Sequence, residues 1–288
     1  MTAYLRLSRP LHLLLAALTY TLGASIPAYL GKPLQPAVFA LGLAGVLLAQ
    51  LSMSLLAEVF RPHNEPLIKD ETPKQKETLR NNLLYISIAS LTVNAVIAFL
   101  LYTNQQLTIS AFYFLLFSLL LVLAYAVPPI RLLNRGFGEL SLAAHIAYIT
   151  PSIGFILQAK ENHRLLIFII VPLTALALAY FLVLNFTSFI EDQKYQRGTF
   201  LRSLTWERAV PLHHSLIALA YLIFAIAPLL GFSILRSAFF TLPFAILQIL
   251  LLRHISLGGK PNWTLLTATA LAVFGLTTYF LTLTFWIR

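Results

Sequence analysis

Residues 165–186 read LLIFIIVPLTALALAYFLVLNF, twenty-two positions without a charged side chain. At about 1.5 Å rise per residue, a helix over that run is roughly 33 Å long, enough to cross a hydrocarbon core about 30 Å thick. Outward from it, the same criterion picks eight further runs, near 11–30, 37–57, 84–103, 107–127, 139–158, 210–231, 235–252 and 265–287. Composition agrees: 59% of residues are hydrophobic and 10% charged, against about 45–50% and about 25% in soluble domains. A soluble chain of 288 residues built this way would have too few charges to cover its surface. The predicted fold is all-α, a polytopic membrane helical bundle of about nine spans. It forms a single transmembrane domain over 1–288, with two weakly duplicated halves at about 1–130 and 131–288. The first run follows Arg6 and Arg9. It is longer than a signal-peptide core and is followed at once by further spans, so it reads as a retained helix.

The absence of cysteine excludes disulfides, thiolate metal sites and a cysteine nucleophile. The formal charge of +10 lies in short loops between apolar runs rather than in a soluble basic domain. That placement suits lipid headgroups and argues against nucleic acid as a partner. With the N-terminus inside, fifteen of the Lys and Arg residues fall in inside loops and five outside, which predicts a cytoplasmic N-terminus and a C-terminus on the opposite side. Nine of the ten acidic residues share the inside face, Glu161 being the exception. Any chemistry is therefore expected there.

Three inside loops carry the polar constellations. In the first, Glu58 and Arg61 stand three apart and Glu65 seven from Glu58, so all share a face if the helix continues. Pro62 can instead break that helix, leaving a Glu58–Arg61 ion pair at its end. His63, between the two glutamates, is a weak metal-ligand candidate. The charged stretch from Lys69 to Glu77 reads as a surface helix capped by Thr72, with Pro73 at its first position and Gln75 reaching back. In the second loop, Ser188 and Asp192 are one turn apart and Lys194 and Arg197 follow. Acids that hold a hard cation beside bases that take phosphate charge suit a diphosphate, as does an ordinary solvated loop. In the third, Tyr125 to Arg131 contains Pro128-Pro129, which ends a helix, and Gly136 and Gly138 turn into the next. Arg131 fits either a phosphate or a lipid headgroup. His213 and His214 are adjacent, so they diverge by about 100° on a helix. His145 is expected to hydrogen-bond inside the bundle. No nucleotide loop, metalloprotease pair or nucleophile elbow is present.

These residues resemble the UbiA superfamily of membrane prenyltransferases, especially its menaquinone-type branch. The resemblance rests on Leu7-Ser8-Arg9-Pro10, on Tyr125…Pro128-Pro129…Arg131 with Gly138-Glu139, on Asn185 to Asp192 followed by Arg197-Gly198-Thr199, and on the nine spans. It implies transfer of a prenyl group from a polyprenyl diphosphate, through an allylic cation in a dry cavity, to an aromatic or quinone-precursor acceptor. It implies Mg2+ held by Glu58, Glu65 and Asp192, with Asp192, Glu58 and Arg61 as catalytic residues. Arg131, Tyr125, Lys194, Arg197 and Lys69 are implied as substrate-binding residues. Polyprenyl diphosphate and membrane lipid are the implied partners.

The chain departs from the family pattern in its acids. Where the first motif has three aspartates, this chain has Glu58, Arg61 and Glu65, and Ala57 replaces an asparagine. In the second, Ser188 and Ile190 replace two acids and Asp192 keeps its carboxylate. Three acids and one arginine stand where the pattern has about six acids, so two bare divalent ions would be poorly held. Two readings follow: a prenyltransferase with one metal or none, in which the Arg61 guanidinium takes over part of the metal's charge, or a non-catalytic protein of the same fold that binds lipid or isoprenoid. The predicted topology is testable because the chain has no native thiol. A cysteine at Gln105 should react with an impermeant maleimide in intact cells, and one at Gln193 only after permeabilisation; the reverse pattern would invert the topology.

Overall fold

The computed structural model describes residues 2–62, 64–68 and 71–287. His63 and Lys69 therefore lie outside the described residues, as does Asp70. Among the described residues all regular secondary structure is helical, and there are no strands. Nine helices among the described residues are long and apolar enough to cross a membrane: α1 (Pro10–Tyr29), α2 (Pro36–Val59), α3 (Pro73–Thr103), α4 (Ile109–Ala126), α5 (Gly138–Ala159), α6 (Arg164–Lys194), α7 (Trp206–Leu230), α8 (Ser233–Ser256) and α9 (Trp263–Ile287). Each coincides with a span expected from the sequence. Four differ most in length: α3 begins at Pro73 instead of near 84, α6 runs on to Lys194, α7 begins at Trp206, and α8 runs from Ser233 to Ser256 instead of 235–252. Apolarity measures only the part of a helix inside hydrocarbon, while the backbone ladder continues wherever water or a cap can satisfy its ends.

The extra turns of α3 show how. Pro73 occupies the first helical position, where a missing N–H is harmless. The Thr72 hydroxyl accepts from Gln75 N at 3.3 Å, and the Gln75 side chain accepts from Thr72 N at 3.0 Å. This is the capping box expected from the sequence. α2 stops at Val59, ahead of Pro62, and α4 stops at Ala126, ahead of the proline pair.

Lipid offers no hydrophobic drive for helices to associate, so close packing must supply it. α5 and α6 are largely buried, whereas α3 and α4 mostly face outward. α1 packs on α5 and α9, α2 on α3 and α4, and α6 on α7 and α9. The α1–α5 crossing is tight because both helices present glycine. A Cβ on Gly154 would lie 3.1 Å from the Ala24 nitrogen and nearer still to the Tyr20 carbonyl, and one on Gly23 would strike the Pro151 carbonyl. Nearby, α5 is π-helical over Ala144–Ile149. There His145 meets the Ser118 hydroxyl and the Gln50 side-chain oxygen, each at 2.9 Å, so its ring is tied within the bundle as expected.

The glycine crossing makes a paired test possible. Gly154→Ala should lower stability by about 1–3 kcal/mol through overpacking, read as thermal unfolding in detergent. Gly275→Ala, whose Cβ would meet only side-chain atoms at 3.9 Å, should leave it unchanged or slightly higher. Equal effects would refute the close approach.

Candidate functional site

Three loops meet at one end of the bundle around a cavity of about 320 Å3. They join α2 to α3, α4 to α5 and α6 to α7. The wall contains Glu58, Arg61, Glu65, Tyr125, Arg131, Asp192 and Arg197, all selected from the sequence, and adds Arg9, His12, Glu139, Asn185 and Thr199. Deeper, Leu142, Phe181 and Leu184 give it an apolar lining. Lys194 is exposed and sits over the Tyr195 ring at 5.1 Å, outside the cavity wall. Lys69, outside the described residues, cannot be placed.

Glu58, Arg61 and Glu65 do converge, but not by sharing one helix face. The helix ends at Val59, and the chain folds back so that Arg61 reaches both glutamates. Arg61 pairs closely with Glu58 and lies 3.1 Å from Glu65, and it donates to the Pro66 carbonyl at 2.9 Å. From α3, Lys76 donates to the Glu65 carbonyl at 2.7 Å and Arg80 to the Arg61 carbonyl at 2.5 Å. The loop is thereby tied to the start of α3.

Arg197 joins this loop to the end of α6. Its Nε donates to Glu65 at 3.0 Å and its terminal nitrogens contact Glu65 and, at 2.8 Å, Asp192. Asp192 also accepts from the Ser188 hydroxyl at 2.8 Å. Burial works against the Arg197 charge, but the hydrogen bonds and field of Glu65 and Asp192 outweigh it and hold its pKa above the ordinary arginine value. Glu58, Glu65 and Asp192 are all almost completely buried, so each needs such a partner. From the start of α1, Arg9 adds a contact to Glu58 at 3.0 Å and one to the Tyr125 hydroxyl at 3.5 Å. The fourth acid, Glu139, is held without a cation. It accepts from Asn185 at 2.5 Å and from the Phe200 backbone N–H at 3.2 Å.

The cavity wall thus holds four carboxylates and four arginines and is formally neutral. Counting only the two acid motifs gives three acids and one arginine, a local charge of about −2. The difference comes from Arg9 and Arg197 on separate elements, Arg131 on the α4–α5 loop, and Glu139. Arg131 differs from the other three cations. Among the described residues its side chain has no hydrogen bond or ion pair, and its Nε is buried without a partner. Its charge is opposed first by burial, which lowers its pKa despite the pull of Glu65 and Glu58. Arg9 and Arg131 both sit in left-handed backbone, at φ 51° and 38°, a conformation that costs a non-glycine residue about 1–2 kcal/mol. Such strain is kept where the fold needs a side chain aimed in one direction.

The α4–α5 and α6–α7 loops approach each other through glycine. The Gly136 N–H donates to the Gly198 carbonyl at 2.6 Å, and a Cβ on Gly198 would fall onto the Asn134 carbonyl. Gly136 itself has φ 79°, where a side chain would be strained. His12 is buried against Phe181, ring edge to ring face with centroids 5.4 Å apart. Sequence reading passed over it, since a lone histidine early in an apolar helix carries no spacing signal.

The fit of a divalent cation can be judged from these donors. A magnesium ion needs carboxylate oxygens at about 2.0–2.1 Å in a near-octahedral set. Glu58, Glu65 and Asp192, the expected metal ligands, each turn at least one oxygen to a guanidinium group. No group of three or more ligating side chains that could hold a metal is assembled among the described residues. As arranged, these residues do not fit the ion.

No protein-family model and no curated protein matches the chain. Solved structures do. A UbiA homologue from Archaeoglobus fulgidus bound to DMAPP and Mg2+ superposes with a TM-score of 0.69 at 18% identity, covering 99% of both chains. A digeranylgeranylglyceryl phosphate synthase structure gives 0.62 at 13% identity, over 99% of this chain and 97% of that one. The apo form of a UbiA homologue from Aeropyrum pernix K1 gives 0.53 at 13% identity, over 93% and 97%. Across nearly its whole length the chain has the nine-helix membrane fold of the UbiA homologues.

Proposed function

We propose that this protein is a membrane prenyltransferase that takes a polyprenyl diphosphate as donor. The observation that carries the reading is the Arg131 guanidinium, buried on one side, without a protein partner, in a cavity that also holds Arg9, Arg61 and Arg197. A cation held in that state has unused donors for an anion, and arginine matches phosphate oxygens bidentately. The apolar wall of Leu142, Phe181 and Leu184 next to it suits the prenyl chain. The A. fulgidus homologue, bound to DMAPP in one structure and to GPP in another, supports the same class of donor.

In this reading the arginines bind the diphosphate and hold the allylic carbon over the apolar lining. The C–O bond breaks with its electron pair moving to the diphosphate oxygen. An aromatic or quinone-precursor ring attacks the allylic cation, forms the new C–C bond and releases a proton. Exclusion of water by the buried wall keeps the cation from hydrolysis. The loops that carry this site face the cytoplasm in the proposed topology.

A second reading, a non-catalytic isoprenoid- or lipid-binding protein, is favoured by one observation: the Glu58–Arg61–Glu65–Arg197–Asp192 chain is already ion-paired within the protein. Geranyl diphosphate should stabilise the purified protein in detergent. Arg131→Ala should weaken its binding by about tenfold or more, the equivalent of one charge-assisted hydrogen bond, and the ligand-free protein should stay folded, because no hydrogen bond or ion pair of the fold runs through that side chain among the described residues. Binding without consumption of the donor by membranes containing endogenous acceptors would favour the second reading. No stabilisation by geranyl or geranylgeranyl diphosphate would overturn both.

A further inference from the structure

The carboxylates and arginines of this cavity assign an unexpected role to the acids. Glu58, Glu65 and Asp192 are buried, and every one of them contacts a guanidinium. Arg61 is held by Glu58 on one side and Glu65 on the other, and Arg197 by Glu65 and Asp192. Glu65 is the shared partner, so the five side chains form one alternating chain of charges across the mouth of the cavity. A bare divalent ion would have to evict at least one arginine, leaving that cation without its partner beside the incoming one.

The guanidinium groups are not saturated by these contacts. Each offers five N–H donors. Arg61 is engaged by Glu58, Glu65 and the Pro66 carbonyl, and Arg9 by Glu58 and Tyr125. The Arg131 guanidinium makes no hydrogen bond or ion pair among the described residues. The Thr199 hydroxyl, also in the wall, is buried without a hydrogen-bond partner. Four arginines and a hydroxyl therefore line a cavity in which Glu58, Glu65 and Asp192 are each already paired with a guanidinium.

We propose that this site binds the diphosphate of its donor directly, without a divalent cation as escort, and that Glu58, Glu65 and Asp192 serve to position Arg61 and Arg197. This rests on the prenyl-diphosphate reading and deepens it. The guanidinium charges do what a metal would otherwise do: they neutralise the bound diphosphate and take up the charge that gathers on its oxygens when the C–O bond breaks. The carboxylates act through the arginines, keeping them charged and aimed.

The test is the affinity of the full-length, detergent-purified protein for geranyl diphosphate in excess EDTA and in millimolar Mg2+. Equal affinities, within about twofold, are expected, and a loss of about tenfold or more in EDTA would overturn the proposal while leaving the prenyl-diphosphate reading intact. Absence of binding in both conditions would overturn both. Arg61→Lys keeps the charge but loses the planar fork, and should weaken binding in EDTA by about tenfold. Arg61→Asp restores an acid between Glu58 and Glu65, and should convert binding from indifferent to Mg2+-dependent. EDTA affinity unchanged in both variants would sink the role given to Arg61. If Arg61→Asp fails to fold, the parent protein's EDTA comparison and Arg61→Lys still decide the matter.

Discussion

A carboxylate buried at the end of a membrane bundle must be paired, neutralised or bound to a metal, and in this protein it is paired with arginine. That requirement shapes the whole loop end of the molecule. Glu58 closes α2, Glu65 sits in the following loop, and Asp192 closes α6. Arg61 and Arg197 are the links between them, and Arg9 brings in the start of α1. Removing Arg197 would leave the buried Asp192 without a cation, a loss of about 3–5 kcal/mol in comparable pairs, whereas Glu58 and Glu65 each have a second arginine. The intact chain of charges need not stabilise the fold at all, since desolvation offsets much of the attraction. Its contribution is geometric: it sets the α2–α3 loop against the end of α6, with Arg9 bringing in the start of α1.

The fold was legible in the sequence because the solvent dictates it. A run such as 165–186 has one stable conformation in hydrocarbon, where every backbone group must be satisfied within the segment. Nine such runs gave nine helices. What apolarity did not report was length, since α3 gains its first turns from the capping box at Thr72 and α6 runs past Phe186 into polar residues. The helix stops were legible too, because proline forbids continuation: α2 ends before Pro62 and α4 before Pro128.

The site was legible residue by residue but not as an arrangement. Spacing put Glu58, Arg61 and Glu65 together, yet on the assumption of a helix that ends before two of them. The contact survives because Arg61 is long enough to reach both acids from a folded-back loop. Arg197 stood out as a phosphate ligand, whereas its buried partners on two elements came only with the tertiary structure. Arg9 lies 49 residues from Glu58 in sequence, and nothing local links them. Lys194 and Arg197 look alike in the sequence, three residues apart. One is exposed and the other spans the cavity mouth, because only Arg197 follows the turn at Gln196, whose φ of 51° reverses the chain.

The physical difference between a metal-held and an arginine-held diphosphate lies in when the charge arrives. A divalent ion enters with the ligand or just before it, and two acid-rich loops must repel each other until it comes. An arginine is part of the chain, so its charge is present from folding onward, and the acids paired with it draw the loops together. In the proposed arrangement Glu58, Glu65 and Asp192 position arginines rather than ligate a metal. Arg131, left without a protein partner on a strained backbone, is the complement of that arrangement. Once the acids are satisfied, one cation remains over among the described residues, and its free donors line the cavity where an anion would bind.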